Sequence, residues 1–181
     1  MIRYERRNAP DCIAEKLGET VWKSSGSCYQ AIQTTLILAN CEHCAFCDDR
    51  LGIGSLYTVE HFRPKSTFPS LVYAWHNLFP ACNGCQSAKE IKFAEELLKP
   101  DDDGYAFKKY FQINYLSGEI EPLESASQAN QLRADVTIRM YRLNKEAILR
   151  GRRQERKNWI SRGSSDRDLN DFCFRYFIVD D

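Results

Sequence analysis

Two Cys-x-x-Cys pairs constrain this chain more than any other feature: CAFC at Cys44–Cys47 and CNGC at Cys82–Cys85. Four thiols in two such pairs are a ligand set for a tetrahedral structural zinc. Between and around the pairs run TVEHFRPKS, from Thr58 to Ser66, and YAWHNLFPACNGCQSAK, from Tyr73 to Lys89. A zinc held by four thiolates has no need of the Glu60–His61 pair that lies between its halves. The spacing therefore predicts a zinc-stapled scaffold with a second chemical site on it. Four chance buried cysteines are the bland alternative, and both spacings speak against it. The register of the first knuckle stays open, because Cys41-x-x-Cys44 has the same spacing.

Composition sets the compartment and the partners. The 181 residues are enough for one domain with an extension, and 43% hydrophobic with 12% aromatic residues supports a packed core rather than disorder. The opening MIRYERRNAP lacks the apolar stretch of a secretory leader, and no apolar run approaches membrane-spanning length. The expectation is a cytoplasmic protein with no membrane contact. In that compartment the eight cysteines point to metal rather than disulfides. Cys12, Cys28 and Cys173 are then expected as small buried hydrophobes. Net charge is zero, but unevenly spread: Glu90–Glu124 holds nine acids against four bases, and Arg133–Arg162 ten bases against three acids. The basic third, with Arg152 and Arg153, is either an anion- or partner-binding face or a solvated helix.

Patterning divides the chain into residues 1–43 (a lead-in and a helix), 44–99 (the cysteine-flanked core) and 100–181 (a hairpin and a basic helical extension). Residues 1–26 are polar and expected to be irregular. Ala31, Ile32, Leu36 and Ala39 predict a helix over Ser27–Asn40. Leu56–Glu60 and Leu78–Ala81 predict two short strands, with Pro64 forcing the chain out of the first. Asn83–Leu98 predicts a helix with Ile91, Ala94, Leu97 and Leu98 on one face. Ala106–Pro122 alternates as a hairpin around Ser117-Gly118. Ala129, Leu132, Val136, Met140 and Leu143 predict an amphipathic helix over Ser125–Leu143. Asn144 is the expected N-cap of a further helix to about Ile160, and the aromatic tail Asp168–Asp181 should pack back.

His61 follows a strand and precedes Phe62-Arg63-Pro64-Lys65. A neutral imidazole there can take a proton from water near neutral pH. Glu60 is a hard oxygen donor suited to Mg²⁺ or Mn²⁺. A lone histidine at a strand end is more often structural, but Arg63, Lys65 and Lys89 nearby suit a phosphate group. Lys89 on a helix could equally be a solvated charge. His43, between two cysteines, and His76, before Asn77, are the competing histidines.

Cys-x-x-Cys, then Glu-His-Phe-Arg-Pro-Lys-Ser, then Trp-x-Asn-Leu with Cys-x-x-Cys and Lys, resembles the HNH endonuclease superfamily. Within it, VEHFRPKS and WHNLFPAC are most similar to the HNH proteins of Septu-type anti-phage systems, some of them encoded beside retrons. The likeness is specific over Cys44–Lys89. It continues more weakly through FQINYLSGEIEP and RMYRLNKEAILRGRR. The resemblance implies an α+β fold: a zinc-stapled ββα-metal finger embedded in a mostly helical domain with a β-hairpin. It implies His61 as general base, Glu60 as acidic ligand of a catalytic Mg²⁺ or Mn²⁺, and Asn77 as the residue that ties down the loop. The family has His or Asn where this chain has Gln86. Either Gln86 is the second metal ligand, or Glu90, one helical turn on, replaces it. Arg63, Lys65 and Lys89 would then meet substrate phosphates. The resemblance also implies nucleic acid as substrate, with DNA before structured RNA such as tRNA. An ATPase subunit of the same defence system, or a retron RNA–DNA complex, would be the partner.

Two functions from different classes remain: a metal-dependent nuclease, and a non-catalytic zinc module that docks a protein or nucleic acid. A thiol redox protein is a weak third, because the Cys pairs lack a surrounding βαβ pattern.

Overall fold

The computed structural model describes residues 1–52, 57–162 and 168–178. Helix α1 spans Ser27–Ala39 and buries Ile32 and Leu36. Strands β1, Tyr57–His61, and β2, Leu78–Cys82, pair antiparallel with Glu60 opposite Phe79 and His61 opposite Leu78. Helix α2, Asn83–Lys89, follows β2 directly and packs on both strands. The order strand, strand, helix is the one the sequence predicts. Leu56, the expected first strand residue, lies outside the described residues.

The predicted helix over Asn83–Leu98 ends early. Glu90 caps α2 at a φ of 54°, and its N–H donates to the Gln86 carbonyl at 2.8 Å. Glu90 is therefore not on a continuing helical face. Apolar spacing misleads here: Ile91 is exposed, while Leu97 and Leu98 are buried by an irregular segment whose Leu98 N–H donates to Thr137 Oγ1 at 3.0 Å.

Further along the chain, Phe107–Tyr110 forms a short helix, α3, where alternation predicts strand. Strands β3, Phe111–Ile113, and β4, Ile120–Pro122, make a shorter hairpin than expected. Its turn is held by Asn114 Oδ1, which accepts from the Leu116 and Ser117 N–H groups at 3.1 Å each. At Gly118, φ is 86° and a Cβ would lie 2.6 Å from the Leu149 carbonyl oxygen, so only glycine fits. Helix α4, Gln128–Met140, is capped by Ser127 and buries Ala134 and Thr137. The predicted apolar face is rotated, with Leu132 exposed, because the small Ala134 and Thr137 allow close packing and the Thr137 hydroxyl also serves Leu98.

Helix α5 spans Glu146–Ser161, and its N-cap position is Lys145 rather than Asn144. Asn144 instead brackets the hairpin: Nδ2 donates to the Ile120 carbonyl at 2.8 Å, and Oδ1 accepts from the Ile120 N–H at 3.1 Å. Arg152 is fully buried, not part of a basic face. Its guanidinium donates to Tyr176 Oη, the Gly118 carbonyl and Asn144 Oδ1. Arg153 donates to the Ser117 carbonyl.

Of the aromatic tail, residues 168–178 are described, and these pack inward. Phe172, Phe174 and Phe177 are buried, and helix α6, Arg175–Ile178, fixes the first knuckle through a buried ion pair from Arg175 Nη2 to Asp48 Oδ1 at 2.6 Å. The lead-in is also ordered. Asp11–Lys16 is a 3₁₀ helix, and Met1 and Tyr4 are buried. Arg6 donates to the Trp75 and Leu78 carbonyls while its guanidinium lies 4.6 Å from the Phe79 ring centre. Residues from all three predicted segments thus share one hydrophobic core. Cys12 and Cys28 are disulfide-bonded, not isolated hydrophobes. Among the described residues, no helix is long and apolar enough to cross a membrane.

Candidate functional site

Cys44, Cys47, Cys82 and Cys85 converge, all buried, with their Sγ atoms within 4.8 Å of one another. Cys47 and Cys82 lie 3.6 Å apart. Sulfurs about 2.3 Å from a tetrahedral zinc lie roughly 3.8 Å from one another, so the donor set fits a zinc held by four thiolates. The backbone shapes both knuckles. Asp48 N–H donates to the Cys44 carbonyl at 3.0 Å, Cys85 N–H points at Cys82 Sγ at 3.4 Å, and Ala45 N–H joins the first knuckle to β2 through the Pro80 carbonyl at 2.9 Å. Cys41 is exposed and outside the cluster, which decides the register.

A cleft of about 230 Å³ opens beside β1 and α2, lined by Glu60, His61, Pro64, Lys65, Ser66, Gln86, Glu90 and Ile91. It brings together four of the expected residues, Glu60, His61, Lys65 and Gln86, together with Glu90.

His61 is only 6% exposed. Its Nε2 lies 3.0 Å from the Val72 carbonyl oxygen. A carbonyl can only accept, so Nε2 carries the hydrogen and Nδ1 keeps its lone pair. Burial lowers the imidazole pKa to about 4, with the Val72 bond opposing and the Lys65 and Lys89 charges adding to the shift. The ring is neutral at pH 7.

Asn77 is buried and ties the loop that follows β1. Its Oδ1 accepts from Arg63 N–H at 2.7 Å, and its Nδ2 donates to the carbonyls of Arg63 and Leu71 at 3.0 and 3.1 Å. These bonds hold Pro64–Ser66 along the cleft.

Lys89 departs from expectation. It is fully buried, neither solvated nor open to a phosphate. Its Nζ donates to Glu60 Oε1 at 2.7 Å and to the His61 carbonyl at 2.9 Å. The stem of a helix-end lysine is long enough to reach under β1, and a buried carboxylate gives the ammonium its partner. Burial raises the Glu60 pKa, and the Lys89 ammonium offsets part of that rise. Gln86 Nε2 donates to the Val59 carbonyl at 3.3 Å, so its amide nitrogen, not its oxygen, faces β1. Divalent ions such as Mg²⁺ need several hard oxygen donors. With Glu60 held by an ammonium and Gln86 turned nitrogen-inward, the side chains as packed do not fit a Mg²⁺ or Mn²⁺ site.

Arg63 is also drawn away. It pairs with Glu95 at 2.9 Å, lies over the Phe68 and Phe93 rings, and lines a different cavity, about 370 Å³, with His76. His76 is set apart from the Glu60–His61 cleft. His43 is buried away from it, with Nε2 2.8 Å from the Phe172 carbonyl oxygen.

Matched against known proteins, the chain is similar to the Septu protein PtuB of Bacillus thuringiensis. The two are 37% identical over 100 residues, which is 49% of this chain and 37% of PtuB. The chain thus spans well under two thirds of PtuB's length. No protein-family model matches.

Sequence reasoning missed the Val72 carbonyl, a backbone atom with no residue signature. It also missed Trp22, whose ring meets His61 edge to face with centres 4.7 Å apart. An isolated tryptophan in a polar lead-in was the only available sign.

Proposed function

We propose that this chain is an HNH-type endonuclease that hydrolyses phosphodiester bonds of nucleic acid in anti-phage defence. DNA is the first substrate to test and structured RNA such as tRNA the second, with an ATPase subunit of a Septu-like system as partner. The observation that carries the reading is the state of His61: a neutral imidazole, its Nε2–H spent on Val72, its Nδ1 left as the acceptor nitrogen, in a cleft beside Lys65. Such a group can take the proton from a water that attacks phosphorus. Lys65 would meet the charge on the phosphate, and Asn77 would keep that loop in place. The partial likeness to PtuB supports the defence context. A thiolate-bound zinc on the four cysteines would hold the finger together and remain apart from the chemistry.

The second reading, a non-catalytic zinc module, is favoured by the Lys89–Glu60 pair, which occupies the carboxylate a catalytic ion would need. Purified protein, alone and with the neighbouring ATPase, should be assayed on plasmid DNA and on total RNA, with Mg²⁺ or Mn²⁺ and with chelator. Cleavage lost in His61→Ala with zinc retained supports the nuclease. No cleavage of either substrate under any of these conditions favours the docking module.

A further inference from the structure

Trp22 lies in the segment between the 3₁₀ helix Asp11–Lys16 and α1. From Leu17 to Gly26 that segment is exposed except for partly covered Glu19 and Trp22. The Trp22 indole meets the His61 ring at an interplanar angle of 88°, packs on Tyr73 at 5.0 Å, and touches Tyr29 edge to face at 5.9 Å. The next residue adds a bond to the same wall: Lys23 N–H donates to Tyr73 Oη at 3.0 Å. The two ends of the segment are joined covalently. Cys12, in the 3₁₀ helix, and Cys28, in the first turn of α1, form a disulfide across 16 positions.

We propose that Trp22 is a positioning residue for His61, held over the imidazole by the Cys12–Cys28 loop, and that the thiol state of that pair sets how open the base is. The role as base rests on the function proposed above; the shielding does not. An indole against the ring excludes water and favours the neutral imidazole. A closed loop has fewer conformations in which the indole is elsewhere, whereas an exposed open segment has many. Opening the loop is ordinary exchange chemistry. A dithiol of the thioredoxin or dithiothreitol class gives two electrons and two protons to the Cys12–Cys28 bond. The S–S bond breaks, two thiols form, and the dithiol closes to its own disulfide.

The test reads His61 directly and needs no cleavage. The 181-residue, zinc-loaded protein is treated with diethyl pyrocarbonate at pH 7, and the modification rates of His61 and His76 are followed by peptide mass mapping. In the wild type, His61 should react slowly, with a rate set by the Trp22 shield. Trp22→Ala should raise that rate several-fold, with His76 unchanged. Trp22→Phe should restore most of the protection. The Cys12→Ser/Cys28→Ser double variant, which mimics the reduced pair without a thiol reagent near the zinc, should resemble Trp22→Ala. Unchanged His61 reactivity in Trp22→Ala overturns the positioning role. Wild-type reactivity in the double variant, with Trp22→Ala responsive, overturns the control by the thiol pair. If Trp22→Ala fails to retain zinc, Trp22→Leu, which keeps apolar bulk without the ring, makes the same comparison. A protein that shows these rates but cleaves nothing would count against the nuclease and leave the shielding intact.

Discussion

Lys89 Nζ lies 2.7 Å from Glu60 Oε1 with both side chains almost wholly buried, so helix α2 is bolted to strand β1 by an ion pair. Removing one partner of a buried pair leaves a charge without compensation, which costs about 3–5 kcal/mol. Lys89→Met should lower stability by that order, and Lys89→Met/Glu60→Gln by clearly less, measured by denaturant unfolding of zinc-loaded protein. The pH sense follows from Glu60. Its folded pKa is raised above 4.5, so ionising it in the native state is a penalty that is absent below pH 4.5 and grows as pH rises through the folded pKa. Without Lys89 that pKa rises further. The single variant should therefore lose more stability relative to wild type at pH 8 than at pH 6. An equal loss at both pH values would show that the pair is not what holds α2.

The cysteine cluster predicts one zinc per chain. Cys82→Ser should lose the metal and become protease-sensitive, since metal binding contributes on the order of 10 kcal/mol to such small units. Cys41→Ser should keep zinc, because Cys41 lies outside the cluster. Elemental analysis of the two proteins separates these outcomes, and loss of zinc from Cys41→Ser would reverse the register.

His61→Ala should retain zinc and slow cleavage by roughly 10²–10⁴-fold, the range for loss of a general base, while His76→Ala should cost much less. The pKa of His61 is depressed, from 6.5 to about 4. The unfolded chain therefore takes up a proton in that window that the native site refuses, and stability falls as pH drops from 6.5 towards 4. His61→Gln should show a shallower acid-side loss in the same unfolding series. Equal slopes would mean that the ring is solvated in solution.

Arg152 is expected to act on folding rather than on binding. Arg152→Glu would place a carboxylate among the Gly118 carbonyl, Asn144 Oδ1 and Tyr176, and should yield insoluble or unfolded protein. Soluble, zinc-loaded Arg152→Glu with an altered salt dependence of nucleic-acid binding would restore the face that charge counting suggested.

Gln86→Ala should be mild if the side chain only braces Val59. Its inactivation in a cleavage assay, with Glu90→Ala active, would indicate that the amide turns its oxygen to an ion during the reaction.

Much of the site can be read from the sequence because its signals are local. Cys-x-x-Cys spacing brings two thiols of each pair within reach of one metal whatever surrounds them. A strand that ends at Glu60-His61 before Pro64 places both residues at the mouth of a loop, and the residue types of His61 and Asn77 already restrict what they can donate and accept. The remainder depended on contacts between distant segments. Apolar spacing ran the helix through to Leu98, but Glu90 turned the chain and sent Leu97 and Leu98 to Thr137. A charge count put Arg152 on a binding face or a solvated helix, and Lys89 was expected at a substrate phosphate or in solvent, but each found buried acceptors, at the hairpin and at Glu60. A count of cysteines made Cys12 and Cys28 independent, but the path of the lead-in brought them together and carried Trp22 to His61. Sequence by itself determined which groups this protein possesses and how neighbours along the chain are spaced. Only the tertiary structure decided which of the charges are spent inside, because burial makes a charged or polar group seek whatever partner the fold brings within bonding distance.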